Sequence, residues 1–298
     1  METVLKVNGI SKSYKHKSVL NRVNMTINKG DIYGFVGKNG AGKTTLIRII
    51  SGLTDADEGN FELFGVKSDS REIDAARKKV CTMVESPAIY PDLTATDNLK
   101  MQCLITGRPF DCIDELLSFV DLAYTGKKRA CDFSLGMRQR LGIAIALVNA
   151  PELMLLDEPI NGLDPEGIKQ VRDLLLRLHR EKKVTILISS HILTELSLFA
   201  TRYGFIDKGT IVKEATQEEV RMATEESCYI ESDHIDKAES VLKTLGYKPV
   251  RSENGLRMPH DIDLMRTCAA FEKNGIRLTK HICNNMDLET YFMDLIGG

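Results

Sequence analysis

One stretch of the sequence limits the possible folds more than any other. It reads Gly37-Lys38-Asn39-Gly40-Ala41-Gly42-Lys43-Thr44-Thr45 and matches the pattern G-x-x-x-x-G-K-[ST] at every defined position. Residues 31–36 before it have the apolar pattern of a buried strand, and residues 46–50 after it have that of a helix closed by Gly52. A strand, this loop and a helix form the context in which such a motif binds phosphate groups.

The residue types of this loop suit an anionic ligand. Its glycines permit positive φ and bring backbone N–H groups close to phosphate oxygens, while the following helix directs its positive end at the same anion. We therefore expect a nucleotide to bind through Gly37, Lys38, Asn39, Gly40, Ala41, Gly42, Lys43, Thr44 and Thr45. Lys43 is expected to reach the β- and γ-phosphates, and the Thr44 hydroxyl to ligate Mg²⁺. The alternative is a glycine-rich turn that precedes a lysine by chance.

A second strand carries two carboxylates at its end. Residues 152–158 read Glu-Leu-Met-Leu-Leu-Asp-Glu, with four apolar residues before Asp157 and Glu158. Buried parallel strands present functional groups at their carboxyl ends in this way. Asp157 is predicted to hold Mg²⁺ through water, and Glu158 to polarise an attacking water. For an isolated segment of this kind, the alternative is a solvated strand end.

Two segments that follow are predicted to contribute to the same site. Residues 161–165 read Asn-Gly-Leu-Asp-Pro, in which Asp164 can cap a helix that begins with proline. Residues 184–188 form another apolar strand, which ends at Ser-Ser-His. A histidine at this strand end faces the ligand crevice, so we predict that His191 is catalytic and contacts the γ-phosphate. Taken alone, such a histidine is more often structural.

The segment before the loop predicts an antiparallel β element. Residues 4–7 and 23–27 alternate between apolar and polar side chains as half-buried strands do. Tyr14 lies in the polar segment 11–15, which we interpret as a loop between these strands. An exposed tyrosine ring there could stack on adenine, which makes Tyr14 a candidate nucleotide-binding residue. A lone tyrosine in a loop is more often a packing residue.

The overall composition excludes several classes of protein. Charged residues make up 28% and hydrophobic residues 43%, which is typical of a folded globular chain and not of a disordered one. The net charge of −2 gives no indication of a nucleic-acid surface. No apolar run approaches the roughly 20 residues that cross a bilayer, and the start of the chain does not resemble a signal peptide, so we expect a cytoplasmic protein. The seven cysteines contain no C-x-x-C pair and are expected to be reduced thiols.

The order of these patterns predicts an α/β fold with two domains. Residues 1–217 are expected to form the nucleotide-binding domain, with a parallel sheet, an antiparallel β subdomain and a helical insertion at about 86–150. Residues 218–298 follow the order strand, helix, strand, strand, helix, strand, helix, which predicts a small C-terminal α+β domain of the split βαβ type.

In its motifs and their order, the segment 1–217 resembles the ATP-binding subunit of an ABC transporter. Residues 133–140 read Phe-Ser-Leu-Gly-Met-Arg-Gln-Arg and are similar to the family's signature segment, while residues 161–164 are similar to its D-loop and His191 to its switch histidine. The resemblance implies a P-loop ABC ATPase core and ATP hydrolysis.

The resemblance also implies a head-to-tail dimer, formed with a second copy of the chain or with a related ATPase subunit. Ser134 and the helix that begins near Gly136 would then contact the γ-phosphate held by the partner. The resemblance implies that Asp164, in the D-loop-like segment, also binds the nucleotide. Both ATP and Mg²⁺ are the expected cofactors.

At two places the sequence departs from the usual family pattern, and these departures point to one subgroup of the family. The signature segment has Leu135 and Met137 where the family usually has Gly and Gln, and Glu85 stands where the family usually has Gln. Both features resemble the subgroup of bacitracin-resistance and lantibiotic-immunity ATPases, so the implied function is to power the export of a peptide antibiotic. Glu85 is a candidate catalytic residue, with coupling to the membrane partner as the alternative.

The resemblance implies a separate transmembrane permease as partner and no nucleic acid. The permease would hold the chain peripherally on the inner face of the cell membrane. A second possibility is a soluble ABC-type ATPase that acts on ribosomes or DNA, although the sequence contains no second cassette, long coiled-coil insertion or basic extension. A P-loop kinase is a weaker alternative because nothing in the sequence supplies an acceptor site.

Overall fold

The computed structural model describes residues 2–15, 17–84, 87–224, 227–252, 255–258, 262–284 and 288–297. The chain divides into two compact units, Met1–Gln217 and Glu218–Gly298. Each unit contains its own β-sheet structure and its own buried apolar cluster, so each is described by itself.

Strands and helices alternate along the first unit. The strands are β1 (Thr3–Tyr14), β2 (Lys17–Asn28), β3 (Ile32–Val36), β4 (Glu58–Leu63), β5 (Val66–Lys67), β6 (Val80–Met83), β7 (Leu153–Asp157), β8 (Thr185–Ser190), β9 (Arg202–Asp207) and β10 (Thr210–Thr216). The helices are α1 (Lys43–Ile50), α2 (Ile73–Arg77), α3 (Ala95–Thr106), α4 (Ile113–Phe119), α5 (Leu135–Leu147), α6 (Pro165–Glu181) and α7 (Leu193–Ser197).

The central sheet of this unit is built from its most apolar strands. The strand order is β10-β9-β3-β8-β7-β6, and all neighbouring pairs are parallel except the antiparallel pair β9 and β10. Every residue of β3, β7 and β8 is buried, which is typical of parallel strands covered on both faces. The predicted α/β core with a parallel sheet is confirmed.

An antiparallel sheet with the order β2-β1-β4-β5 forms the second layer of this unit, as predicted. Its inward side chains pack on the central sheet in one apolar cluster, to which β1 contributes Leu5 and Val7, and β3 contributes Phe35. Helix α1 lies in the same cluster through Leu46 and Ile47. The phosphate loop is therefore anchored between two sheets.

The region predicted as a helical insertion contains α3, α4 and α5 together with short 3-10 turns. After β7, helix α6 has the predicted apolar stripe, since Val171, Leu174, Leu175 and Leu178 are buried. In the part of the chain that the structure describes, no helix is both long enough and apolar enough to cross a membrane.

Helix α8 (Gln217–Thr224), which the sequence predictions lack, begins at the last residue of the first unit. The elements after it follow the predicted order: β11 (Ser227–Ser232), α9 (Ile235–Thr244), β12 (Val250–Ser252), β13 (Gly255–Met258), α10 (Leu264–Lys273), β14 (Leu278–Asn284) and α11 (Leu288–Leu295). The sheet order is β12-β13-β11-β14, with every pair antiparallel. This is the split βαβ arrangement. Its core includes Ile230, Leu242, Leu256 and Phe271.

Candidate nucleotide-binding site

The carboxyl ends of three neighbouring strands form the candidate site. β3 leads into the phosphate loop (residues 37–45), β7 ends at Asp157, and β8 ends at Ser190. In the sheet register, Val36 lies beside Ser190 and Asp157 lies beside Ser189. Residues far apart in the chain are therefore brought to one edge of the sheet, which is where ligands bind in parallel α/β folds.

Two glycines of the phosphate loop are required by its geometry. A Cβ on Gly37 would lie 2.5 Å from the carbonyl oxygen of Ile206, so a larger residue would force the loop away from β9. Gly42 has a φ of 110° and is the N-cap of helix α1, a conformation that strongly favours glycine. Within the described residues no side chain caps this helix. Its first turn is thus suited to an anionic ligand such as a phosphate group.

The remaining residues of the loop differ in exposure. Lys38, Asn39 and Gly40 are exposed at its tip, Ala41 is buried, and Thr45 is half-buried in the first turn of α1. The N–H of Ala41 donates to the carbonyl of Lys38 at 3.1 Å, which closes the loop into a tight turn.

Lys43 is held in the site by three oxygen atoms. Its side chain is only 5% exposed, and Nζ donates to the carbonyl oxygens of Gly37 at 2.6 Å and Lys38 at 3.4 Å. The third contact is an ion pair with Oε1 of Glu158 at 3.2 Å. A buried ammonium group needs such acceptors because its desolvation is costly. An incoming phosphate would compete with Glu158 for this cation.

Thr44 and Asp157 are in direct contact. The Thr44 hydroxyl donates to Oδ2 of Asp157 at 2.6 Å, and Asp157 is 3% exposed. Hydroxyl and carboxylate oxygens are the hard ligands that Mg²⁺ prefers, and protein sites for this ion typically combine one or two of them with substrate phosphates and water. The residues present therefore fit Mg²⁺.

Glu158 lies between two basic side chains. Its Oε1 faces Lys43, and its Oε2 is 2.8 Å from Nδ1 of His191. The backbone of Glu158 has a φ of 50°, in the left-handed region that residues with a side chain seldom adopt. Backbone strain of this kind concentrates at functional sites. The structure thus brings together Lys43, Thr44, Asp157, Glu158 and His191.

One residue of this cluster is missing from the sequence predictions. Ser189 donates from Oγ to Oδ1 of Asp157 at 2.6 Å and accepts from the N–H of Glu158 at 3.0 Å. A serine at the end of a buried strand has no motif of its own. The signal that could have identified it is the sheet register, which places a polar residue directly beside Asp157.

The interpretation of residues 11–15 as a loop is wrong for most of that segment. Strand β1 continues through Tyr14, which pairs with Lys17 on β2, and the chain turns at Lys15 with a φ of 44°. The strand carries polar residues in this part because this end of the hairpin is exposed to solvent. Tyr14 is 44% exposed, and the centroid of its ring lies 5.6 Å from Nζ of Lys12. Stacking of Tyr14 on adenine stays a prediction.

The signature-like segment and the D-loop-like segment form the starts of two helices that pack together. Ser134 caps α5 by accepting from the N–H of Met137 at 3.2 Å, and Asp164 caps α6, as predicted, by accepting from the N–H of Gly167 at 3.1 Å. A Cβ on Gly136 would lie 3.7 Å from Cα of Gly167, so the helices approach closely here. Both capping residues are exposed, so a second molecule could reach them.

Glu85, the remaining candidate catalytic residue, lies outside the described residues. Strand β6 ends shortly before it at Met83 and runs parallel to β7, with Met83 beside Leu156. A catalytic or coupling role for Glu85 stays a prediction.

Known proteins are similar to this chain in sequence. The family model for ABC transporters matches residues 20–161. The bacitracin transport ATP-binding protein BcrA of Bacillus licheniformis is 36% identical over 309 residues, which cover 100% of this chain and 99% of that protein. The lantibiotic transport ATP-binding protein SrtF of Streptococcus pyogenes is 41% identical over 71% of this chain and 90% of its own length.

A solved structure extends the similarity to the fold. A dimeric ATP-binding cassette in a post-hydrolysis state, bound to ADP and phosphate, superimposes with a TM-score of 0.64 and 25% sequence identity. The match covers 72% of this chain and 98% of that one. The chain therefore belongs to the ATP-binding and ATP-hydrolysing subunits of ABC transporters, in the group that includes the bacitracin and lantibiotic transport ATP-binding proteins.

Proposed function

We propose that this subunit powers the export of a peptide antibiotic of the bacitracin or lantibiotic type. The single observation that carries the proposal is the similarity to a bacitracin transport ATP-binding protein along the entire chain. A match confined to the nucleotide site would be shared with transporters of many substrates, whereas this match includes the second unit, which lies outside the phosphate-loop motifs. Residues 1–217 are assigned as the ATP-binding domain and residues 218–298 as an accessory domain.

Within this proposal, the chain's own residues bind and orient ATP. The N–H groups of the phosphate loop and of the first turn of α1 hold the phosphates, and Lys43 neutralises the β- and γ-phosphates. Glu158 accepts the proton of the attacking water as general base. His191, fixed by its contact of 2.8 Å to Glu158, contacts the γ-phosphate. The exposed ring of Tyr14 stacks on the adenine.

Thr44 and Asp157 are the residues that would hold Mg²⁺. When bound, this ion would supply positive charge that offsets the negative charge of the ATP phosphates. The Thr44 hydroxyl would contact the ion directly, and the buried Asp157 carboxylate would hold it through water.

Further contacts to ATP are assigned to a second ATPase subunit in a head-to-tail dimer. Ser134, Gly136 and Asp164 lie in exposed or half-exposed positions at the starts of α5 and α6. Their exposed position is explained if these residues contact the ATP that the partner subunit binds. A homologous cassette with bound ADP and phosphate is dimeric, which supports this arrangement.

A separate membrane-spanning permease is the other proposed partner. Export across a bilayer needs a spanning component, and an ATP-binding subunit that docks on it would sit at the inner face of the membrane. Glu85 is proposed to act either in catalysis or in coupling to this permease, because it follows strand β6 beside β7.

The proposal predicts a loss of antibiotic protection when the subunit is inactivated. Cells that lack the gene should become more sensitive to bacitracin or to a lantibiotic, because export requires ATP binding at Lys43. The inhibitory concentration is measured after complementation with the native gene and with a Lys43→Ala gene, and only the native gene should restore it. Affinity purification of the native subunit should also recover a membrane-spanning protein.

The control is an antibiotic that acts inside the cell and is not a peptide. Sensitivity to this control should be the same with and without the gene. Equal sensitivity to the peptide antibiotics with and without the gene would contradict the substrate assignment. Recovery of ribosomes or DNA in place of a membrane-spanning protein would contradict the transport assignment.

A second prediction concerns residues 218–298, which should be dispensable for ATP binding. Every proposed ligand of ATP or Mg²⁺ lies before this segment, and the second unit has its own core around Ile230, Leu256 and Phe271. A protein ending at Gln217 keeps the whole central sheet, including β10. Calorimetric titration should give the same affinity for ATP as the full chain. A shortened protein that is folded by circular dichroism yet does not bind would show that the second unit contributes to the site.

A further inference from the structure

Ser189 connects two residues of the site through one hydroxyl group. Ser189 is fully buried at the carboxyl end of β8, in register with Asp157 on β7. Its Oγ donates to Oδ1 of Asp157 at 2.6 Å and accepts from the N–H of Glu158 at 3.0 Å. The hydroxyl thus uses its only proton on one of these residues and a lone pair on the other.

The first consequence concerns the Asp157 carboxylate. Its Oδ1 accepts from Ser189 and its Oδ2 accepts from Thr44, each at 2.6 Å. Two hydroxyl donors on opposite oxygens fix the plane of the carboxylate. Because Asp157 is almost fully buried, an oxygen that lost its donor would be poorly solvated and the side chain would be free to rotate away from Thr44.

The second consequence concerns the Glu158 backbone. The N–H of Glu158 donates both to the carbonyl oxygen of Ser189 at 3.1 Å and to its Oγ at 3.0 Å. These contacts hold Glu158 in its left-handed conformation, which a residue with a side chain adopts only when its surroundings enforce it. In this conformation the Glu158 carboxylate reaches both Lys43 and His191.

We propose that Ser189 is a positioning residue for ATP hydrolysis, which orients the Asp157 carboxylate toward Thr44 and the Glu158 carboxylate toward Lys43 and His191. The inference rests on the proposed roles of Asp157 and Glu158. The neighbouring Ser190 has a different function, because its Oγ accepts from the N–H of Ile192. The Ser189 hydroxyl contacts Asp157 and Glu158, which belong to the site, whereas the Ser190 hydroxyl contacts Ile192, which does not.

The test compares Ser189→Ala with Ser189→Thr, which restores a hydroxyl. The control is Thr185→Val, because Thr185 is fully buried in the same strand and its Oγ1 accepts from the N–H of Gly30 at the opposite end. For each variant the measurements are kcat and KM for ATP, the melting temperature without nucleotide, and the affinity for a non-hydrolysable ATP analogue with and without Mg²⁺.

Ser189→Ala is expected to lower kcat by about tenfold or more, since a hydrogen bond to a charged group is lost. Mg²⁺ should increase the affinity for the analogue less than it does in the native protein, while binding without Mg²⁺ should be unchanged. Ser189→Thr should recover most of kcat. Thr185→Val should leave kcat and the effect of Mg²⁺ at native values, even if its melting temperature falls.

A native kcat and a native Mg²⁺ effect in Ser189→Ala would overturn the inference. The inference would also be overturned if kcat fell in both Ser189→Ala and Thr185→Val, and in each variant by an amount that followed the fall in its melting temperature. The Ser189 hydroxyl would then be only structural. Glu158→Gln measured in parallel separates this inference from the proposed function. If Glu158→Gln is slow and Ser189→Ala is native, only the positioning role is wrong, whereas a native rate in Glu158→Gln overturns the role of Glu158 and the inference with it.

Discussion

The Lys43→Ala variant is expected to lose tight binding of MgATP. In the native protein, Nζ of Lys43 is held by the Gly37 carbonyl at 2.6 Å and by Glu158 at 3.2 Å. Without this cation, the Glu158 carboxylate and the incoming phosphates repel each other across the space that it occupied. A hydrogen bond to a charged group contributes about 1.5–3 kcal/mol, so loss of the lysine contacts and the added repulsion predict a Kd at least about a hundredfold higher.

Calorimetric titration measures this effect, and two further variants define its origin. Lys43→Met keeps most of the buried stem of the side chain and removes only the charge, so it should bind ATP as weakly as Lys43→Ala. Lys79→Ala is the control, because Lys79 pairs with Glu152 at 2.9 Å at the amino ends of β6 and β7. It should bind ATP normally. If both Lys43 variants bind ATP with native affinity, the assignment of residues 37–45 as the phosphate-binding loop is wrong.

The fold was predictable from the sequence where the local pattern determines it. The apolar runs of β7 and β8 identify buried parallel strands, and the alternation of elements after residue 218 identifies the split βαβ unit. The start of α1 is less apparent, since the helix begins at Lys43 and not at the first apolar residue, Leu46. The segment Lys-Thr-Thr lacks apolar periodicity, and its helical conformation follows from the loop before it.

The contacts that assemble the site were harder to predict, because they join residues from different strands. The sequence identifies Thr44 and Asp157 through their motifs, but not the hydrogen bond between them. It gives no sign of the left-handed backbone of Glu158, which depends on the end of β8. Ser189 was missed for the same reason, because its importance comes entirely from its register with Asp157.

The Glu158→Gln variant is expected to bind ATP at least as tightly as the native protein and to hydrolyse it at least about a hundredfold more slowly. Glutamine has the same shape as glutamate, so its carbonyl oxygen can remain beside Lys43 and its amide can donate to Nδ1 of His191 when that nitrogen carries no proton. Both contacts are kept, and only the negative charge and the basicity are lost. The hydrolysis rate is measured by release of phosphate at saturating MgATP.

Glu152→Gln is the matched control for this substitution. Glu152 directly precedes β7, at the opposite end from Glu158, and its partner Lys79 is exposed. The same chemical change there should leave the hydrolysis rate unchanged. Native hydrolysis by Glu158→Gln would show that Glu158 is not the base.

The same variant also tests the proposed head-to-tail dimer, because a site that binds ATP without hydrolysing it keeps the ligand that joins the two subunits. The capping residues Ser134 and Asp164 are exposed in the single chain and would contact ATP only across the dimer interface. Light scattering of Glu158→Gln should therefore show the monomer mass without nucleotide and twice that mass with MgATP. If hydrolysis is lost and the mass stays that of a monomer, the role of Glu158 in hydrolysis is supported, but the head-to-tail pairing of two copies of this chain is contradicted.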